Sequence, residues 1–83
     1  MDEIIERLIP VIEEQLTLPE TQYVQETFER LIQEPDIDEE EAKAMIAFCL
    51  ADEMEIMVTQ KRHFDPERYQ MLLNLLPAMP EGR

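Results

Sequence analysis

Ala44-Met45-Ile46-Ala47-Phe48-Cys49-Leu50-Ala51 is a run of eight residues without a polar side chain, inside a longer segment, 39–62, that holds neither Gly nor Pro. Acidic residues lead into that segment (Glu39, Glu40, Glu41) and basic ones close it (Lys61, Arg62), the order the helix dipole favours. A helix that is apolar on every side has to be covered on every side. The stretch therefore predicts a long central helix, about 39–62, at the middle of an all-α fold. At about 1.5 Å per residue it would run roughly 36 Å. The rest of the chain supplies two or three further helices, which is little shelter for such a rod. The expected architecture is a small bundle of three to four helices, completed by dimerisation.

Upstream, Asp2 to Leu16 reads as a helix with Ile4, Ile5, Leu8, Ile9, Val11, Ile12 and Leu16 mostly on one broad face. Pro10 interrupts it, either as a kink or as the first turn of a new helix, and the pattern leaves both open. Thr17-Leu18-Pro19-Glu20 carries a start signal, with Thr17 as cap, Glu20 reaching back to it and Pro19 in the first turn. Tyr23, Val24, Thr27, Phe28, Leu31 and Ile32 then recur at helical spacing until about Glu34, before Pro35. Asp38 with Glu41 forms an acidic capping box at the head of the central helix. Downstream, Asp65 caps and Pro66 opens a short last helix whose buried face is Tyr69, Leu72, Leu73 and Leu76, with Pro77 ending it.

With 83 residues the chain is long enough for one small domain, read as 1–76, followed by a tail, 77–83, expected to fray. Hydrophobic residues at 45% separate it from disordered chains of similar charge density. The net charge is −13, concentrated in residues 1–41, where 14 acids face only Arg7 and Arg30. Such a surface repels phosphates and anionic lipid, which disfavours nucleic acid and membrane partners and favours a basic protein. The exposed acids expected to carry that attraction are Glu13, Glu14, Asp36, Asp38, Glu39 and Glu40. The single cysteine, Cys49, lies in the apolar run and builds neither a disulfide framework nor a thiolate metal site. The opening Met-Asp-Glu is no basic, apolar leader, and no apolar run approaches a membrane span, so a cytoplasmic location is expected.

The residues offer little to catalysis, and no catalytic residue, cofactor or metal site is assigned. His63 is the only histidine, set in a Lys-Arg-His cluster that suits a helix end. A Cys49–His63 dyad is disfavoured, because 14 positions on one rigid helix amount to about 21 Å. Helical di-iron sites need two Glu-x-x-His pairs, which one histidine excludes. Asp36, Asp38 and Glu40 alternate as in a calcium loop but lack its glycine. Asp52, Glu53 and Glu55 interrupt the apolar helix. Buried carboxylates must be paired, and Arg30 or Arg68 is a candidate partner; the plainer expectation is that residues 51–55 mark where the helix reaches the surface. A divalent ion held by these carboxylates is the sharper alternative.

Glu13-Glu14-Gln15, Pro19, Glu29-Arg30-Leu31 and Glu41-Ala42 together resemble the core of a bacterial helical family defined only as a conserved domain of unknown function. The resemblance covers residues 9–50. It implies a helical scaffold and no activity. Members carry histidines near the start of the first helix and beside the Glu-Ala pair, suggestive of a metal site; Ile9 and Ala44 stand at the corresponding places here, so any such site would be lost.

Met54, Ile56, Met57 and Val58 follow too closely for one flanking helix to cover them all. With Met71 and Leu75 of the last helix they form the expected interface. The leading expectation is thus a non-catalytic interaction module that self-associates through its central and last helices. The alternative is an acidic adaptor or inhibitor docking a basic protein surface, and a carboxylate-based metal protein comes third.

Overall fold

The computed structural model describes residues 3–78. They form four α-helices, α1 (Glu3–Gln15), α2 (Gln22–Ile32), α3 (Glu39–Gln60) and α4 (Pro66–Leu75), with a single 3-10 turn, Pro19–Thr21, ahead of α2. No strand occurs among the described residues. The helix α3 is the axis, and α1, α2 and α4 all pack on it. An ion pair from Lys43 Nζ to Glu13 Oε2, 3.1 Å, joins the start of α3 to the end of α1. Ile4 and Ile5, at the start of α1, sit instead beside the second half of α3. The two helices therefore run antiparallel.

The core is assembled from one stripe of each helix. It takes Ile5, Leu8 and Ile12 from α1, Val24 and Leu31 from α2, and Ala42, Ile46, Ala47, Cys49 and Leu50 from α3. Tyr69, Leu72 and Leu73 of α4 complete it, with Leu76 just beyond the helix. The whole expected face of the last helix is thus buried. Tyr69 anchors that end: its ring meets Tyr23 and Phe64 edge-on at 5.9 and 5.6 Å. Its hydroxyl donates to Gln15 Oε1 at 2.8 Å. A buried phenol needs such a partner. The α1 face is narrower than the hydrophobic pattern suggested, since Ile4 and Val11 are exposed.

Local details depart from the sequence reading at the helix ends. The first helix runs unbroken through Pro10. Pro10 removes the donor that the Glu6 carbonyl would receive, but both residues face solvent, where water can hydrate that carbonyl. Thr17 does not cap α2; its hydroxyl donates to the Glu14 carbonyl at 2.9 Å and finishes α1. Thr21 Oγ1 donates to the Gln15 carbonyl at 2.7 Å, so the α1–α2 turn is held by hydroxyls turned backwards. The end of α2 comes at Ile32 rather than Glu34, because Gln33 and Glu34 donate three residues back, to Arg30 and Leu31. Asp38 caps α3 as expected, accepting from the Glu41 N–H at 2.7 Å. At its far end α3 stops at Gln60, and Lys61 takes a left-handed φ of 54°. Lys61, Arg62 and His63 consequently lie past the helix rather than on its last turn. Pro77 follows α4 as expected; residues 79–83 of the tail lie outside the described residues.

Candidate functional site

The antiparallel packing of α1 against α3 leaves a groove of about 390 Å³ open between them. Ile4 and Ile5 form the α1 wall, and Phe48, Ala51, Asp52, Met54, Glu55 and Val58 form the α3 side. Helix periodicity explains the set: positions 48, 51, 55 and 58 recur at three- and four-residue steps and share one side of α3. Ala51 in that row offers only a methyl, where a larger side chain would fill the space. Val58 is 76% exposed and Ile4 58% exposed. Phe48 and Met54 are also exposed. The apolar rod is therefore not covered on every side, even at Phe48 inside the central run.

The six residues expected to form an interface fall into three groups. Met54 and Val58 line the groove. Ile56 and Met57 are half-buried and outside it. Met71 and Leu75 are 54% and 58% exposed on α4, also outside it. Ile4 and Phe48 belong to the groove and were missed. Ile4 looked like core because the α1 pattern is broad, and Phe48 because its neighbours are apolar; neither carried a signal of exposure.

Next to the groove lies a buried ion-pair cluster that the sequence reading placed at the surface. Within 51–55, Met54 and Glu55 are exposed, as expected of a stretch where the helix reaches the surface, but Asp52 and Glu53 are buried, which corrects that expectation for those two carboxylates. Glu53 is fully enclosed and accepts four hydrogen bonds. Oε2 receives Arg62 Nη1 at 2.7 Å and the Asp65 N–H at 2.8 Å. Oε1 receives Arg62 Nη2 and Arg68 Nη1, each at 3.0 Å. Arg68 also donates to Asp52 Oδ2 at 2.7 Å. Arg62 reaches Glu53 because the left-handed turn at Lys61 folds the chain back over α3. Its guanidinium is the largest influence on Glu53; together with the Asp65 N–H and Arg68 it holds the carboxyl down at about 2, against burial, which pushes upward.

Of the two arginines considered as partners for these acids, Arg68 is one and Arg30 is not. Arg30 instead donates to the Leu76 and Leu73 carbonyls, at 2.7 and 2.8 Å. Both carbonyls lie at the C-terminal end of α4, where Leu73 also accepts from the Leu76 N–H, and a cation there suits the dipole. Arg62 was missed, since its role depends on a backbone reversal that no residue-type rule assigns to lysine.

The acidic positions Glu13, Glu14, Asp36, Asp38, Glu39 and Glu40 are all exposed. Glu13 is paired with Lys43, and Asp38 is engaged as the α3 cap. Among the described residues no three of the His, Cys, Asp and Glu side chains converge as a metal site would require. Cys49 is sealed in the core, where burial, reinforced by Asp52, pushes its thiol up to about 12 and keeps it a thiol at neutral pH. No described helix is long and apolar enough to cross a membrane. No family model, curated protein or solved structure matches the chain.

Proposed function

We propose that this chain is a non-catalytic helical interaction module that assembles with copies of itself. The observation carrying the reading is the α1–α3 groove, where Ile4, Phe48, Met54 and Val58 stay open to solvent, uncovered by the other described helices. Four exposed apolar side chains gathered in one open groove, rather than scattered singly, support that reading. Sedimentation at low micromolar concentration tests it: the expected mass is a multiple of 9.9 kDa, and a well-folded strict monomer removes the reading.

A second reading, the acidic adaptor docking a basic protein, is favoured by the exposure of Glu13, Glu14, Asp36, Asp38, Glu39 and Glu40 together. It predicts binding that weakens steeply with added salt. Carboxylate-based metal binding draws less support, because Asp52 and Glu53 already face the guanidinium groups of Arg68 and Arg62.

A further inference from the structure

We propose that the α1–α3 groove receives a cationic amphipathic helix of a partner protein, its apolar side on Phe48, Met54 and Val58 and its basic residues over the surrounding acids. This rests on the acidic-adaptor reading above and gives it a site. A second copy of the chain would compete for the same surface.

The apolar side chains left open gather along one channel. Among the described residues, five of the eight exposed large ones, Ile4, Val11, Phe48, Met54 and Val58, belong to α1 and α3. Val11 stands two turns along α1 from Ile4 and so on the same side. On α3, Ala44, Phe48, Ala51, Glu55 and Val58 follow at three- and four-residue steps, a row about 21 Å long. Ala44 and Ala51 keep that row shallow, and α1 lies alongside it as a second wall. A helix suits such a channel, because its own side chains recur at the same steps and enter between the two it rests on. An extended peptide does not, since it binds by pairing with an open sheet edge and no strand occurs among the described residues.

Charge sets the sign of the partner. By register, the charged groups around the channel are Glu14 and the Glu3–Arg7 ion pair on α1, and Glu40, Glu41, Asp52 and Glu55 on α3. Arg68 holds Asp52, and Lys61 lies just past the helix. Acids there outnumber bases six to three. A second copy would bring the same excess and a further −13, whereas a basic helix neutralises it. Glu41 and Glu55, both exposed, stand about four turns apart on α3. Lysines or arginines at that spacing on the incoming helix would meet both acids, with the apolar stripe between them on Phe48 and Ala51.

The probe is a synthetic peptide of about 14 residues, leucines on one helical face and lysines on the other, labelled at one end and read by fluorescence anisotropy against the full chain. It should bind at about 10 mM sodium chloride and at least about tenfold more weakly at 150 mM. Glu55→Lys should weaken binding at least about tenfold. Glu26→Lys makes the same change of net charge at an exposed site on α2, away from the groove, and should cost less than about threefold. Val58→Ser removes apolar contact without altering charge and should cost at least about threefold. Circular dichroism checks that each variant stays helical.

Equal loss from Glu55→Lys and Glu26→Lys, or indifference to Val58→Ser, would overturn the groove as the seat and leave the acidic-adaptor reading standing. Equally tight binding of a peptide with leucine and lysine in strict alternation would overturn the helix. So would full displacement by dodecylammonium at matched concentration, which would make the occupant a small cationic amphiphile. A parent chain that leaves both peptides unbound overturns this inference together with the adaptor reading; if that chain is dimeric, the groove belongs to a second copy.

Discussion

Glu53 is the residue on which the α3–α4 corner turns. It binds two guanidinium groups and one backbone N–H with no exposure of its own. The cost of removing one member of such a cluster is larger than the value of the cluster itself, because Arg62 loses its counter-ion and Arg68 is left with Asp52 alone. Glu53→Gln should therefore destabilise the fold by about 3–5 kcal/mol in urea unfolding, a large share of the roughly 5–15 kcal/mol that holds a small domain together. Combined with Arg68→Ala, the loss should fall well short of the sum, since both substitutions break one network. The pH dependence follows from the depressed carboxyl. Its folded value, about 2, lies below the ordinary 4.5, so its stabilisation is fully present above about pH 4.5 and fades as pH falls toward 2. The difference in stability between the parent chain and Glu53→Gln should shrink across that interval; a constant difference from pH 6 to pH 2 would contradict the assignment. Cys49 belongs to the same scale. With its thiol sealed and pushed up to about 12, it should react with a thiol reagent only as fast as the chain opens.

At the scale of the element, the helices are held at their ends by particular side chains. Asp38 and Asp65 each accept from the first turn that follows, and substitution of either by alanine should cost about 1 kcal/mol. Asp65 has a second link, since its N–H donates to Glu53, so the cap of α4 and the ion-pair cluster are continuous. The opposite end of α4 depends on Arg30, whose fork closes two carbonyls across from α2. Lys61 adopts a left-handed φ of 54°, where a Cβ is unfavourable by about 1–2 kcal/mol. Lys61→Gly relieves that strain but loosens the unfolded chain by about 0.4–1 kcal/mol. The expected net gain is about 0.5–1 kcal/mol, read as a higher unfolding midpoint with the Arg62–Glu53 pair intact. A loss on substitution would mean that the lysine side chain itself contributes at this turn.

For the molecule as a whole, charge and apolar surface pull in opposite directions. Two copies at −13 repel each other, while Phe48, Met54, Val58, Met71 and Leu75 remain exposed. Salt screens the repulsion over about 8–10 Å at physiological strength and leaves apolar contact intact. Self-association should therefore strengthen as sodium chloride rises from about 10 to 150 mM, a range across which the screening length shortens from about 30 to 8 Å. Light scattering at fixed protein concentration measures it. Docking to a basic partner would respond in the reverse sense, which separates the two readings in one titration.

Much of this architecture was already legible in residue order. The apolar run 44–51 marked the axis, prolines and capping aspartates marked most turns, and Tyr69, Leu72, Leu73 and Leu76 were recognisable as core by their spacing. These are local properties: helical period and cap chemistry act within a few residues, so the chain carries them before it folds. Tertiary structure decided the rest. Whether Asp52 and Glu53 met water or arginine depended on a backbone reversal at Lys61, a residue type that does not announce one. Whether Phe48 and Ile4 were core or groove depended on where α1 lies along α3, and hydrophobicity alone does not encode that placement. Burial is a relation between distant segments, and only the packed chain sets it.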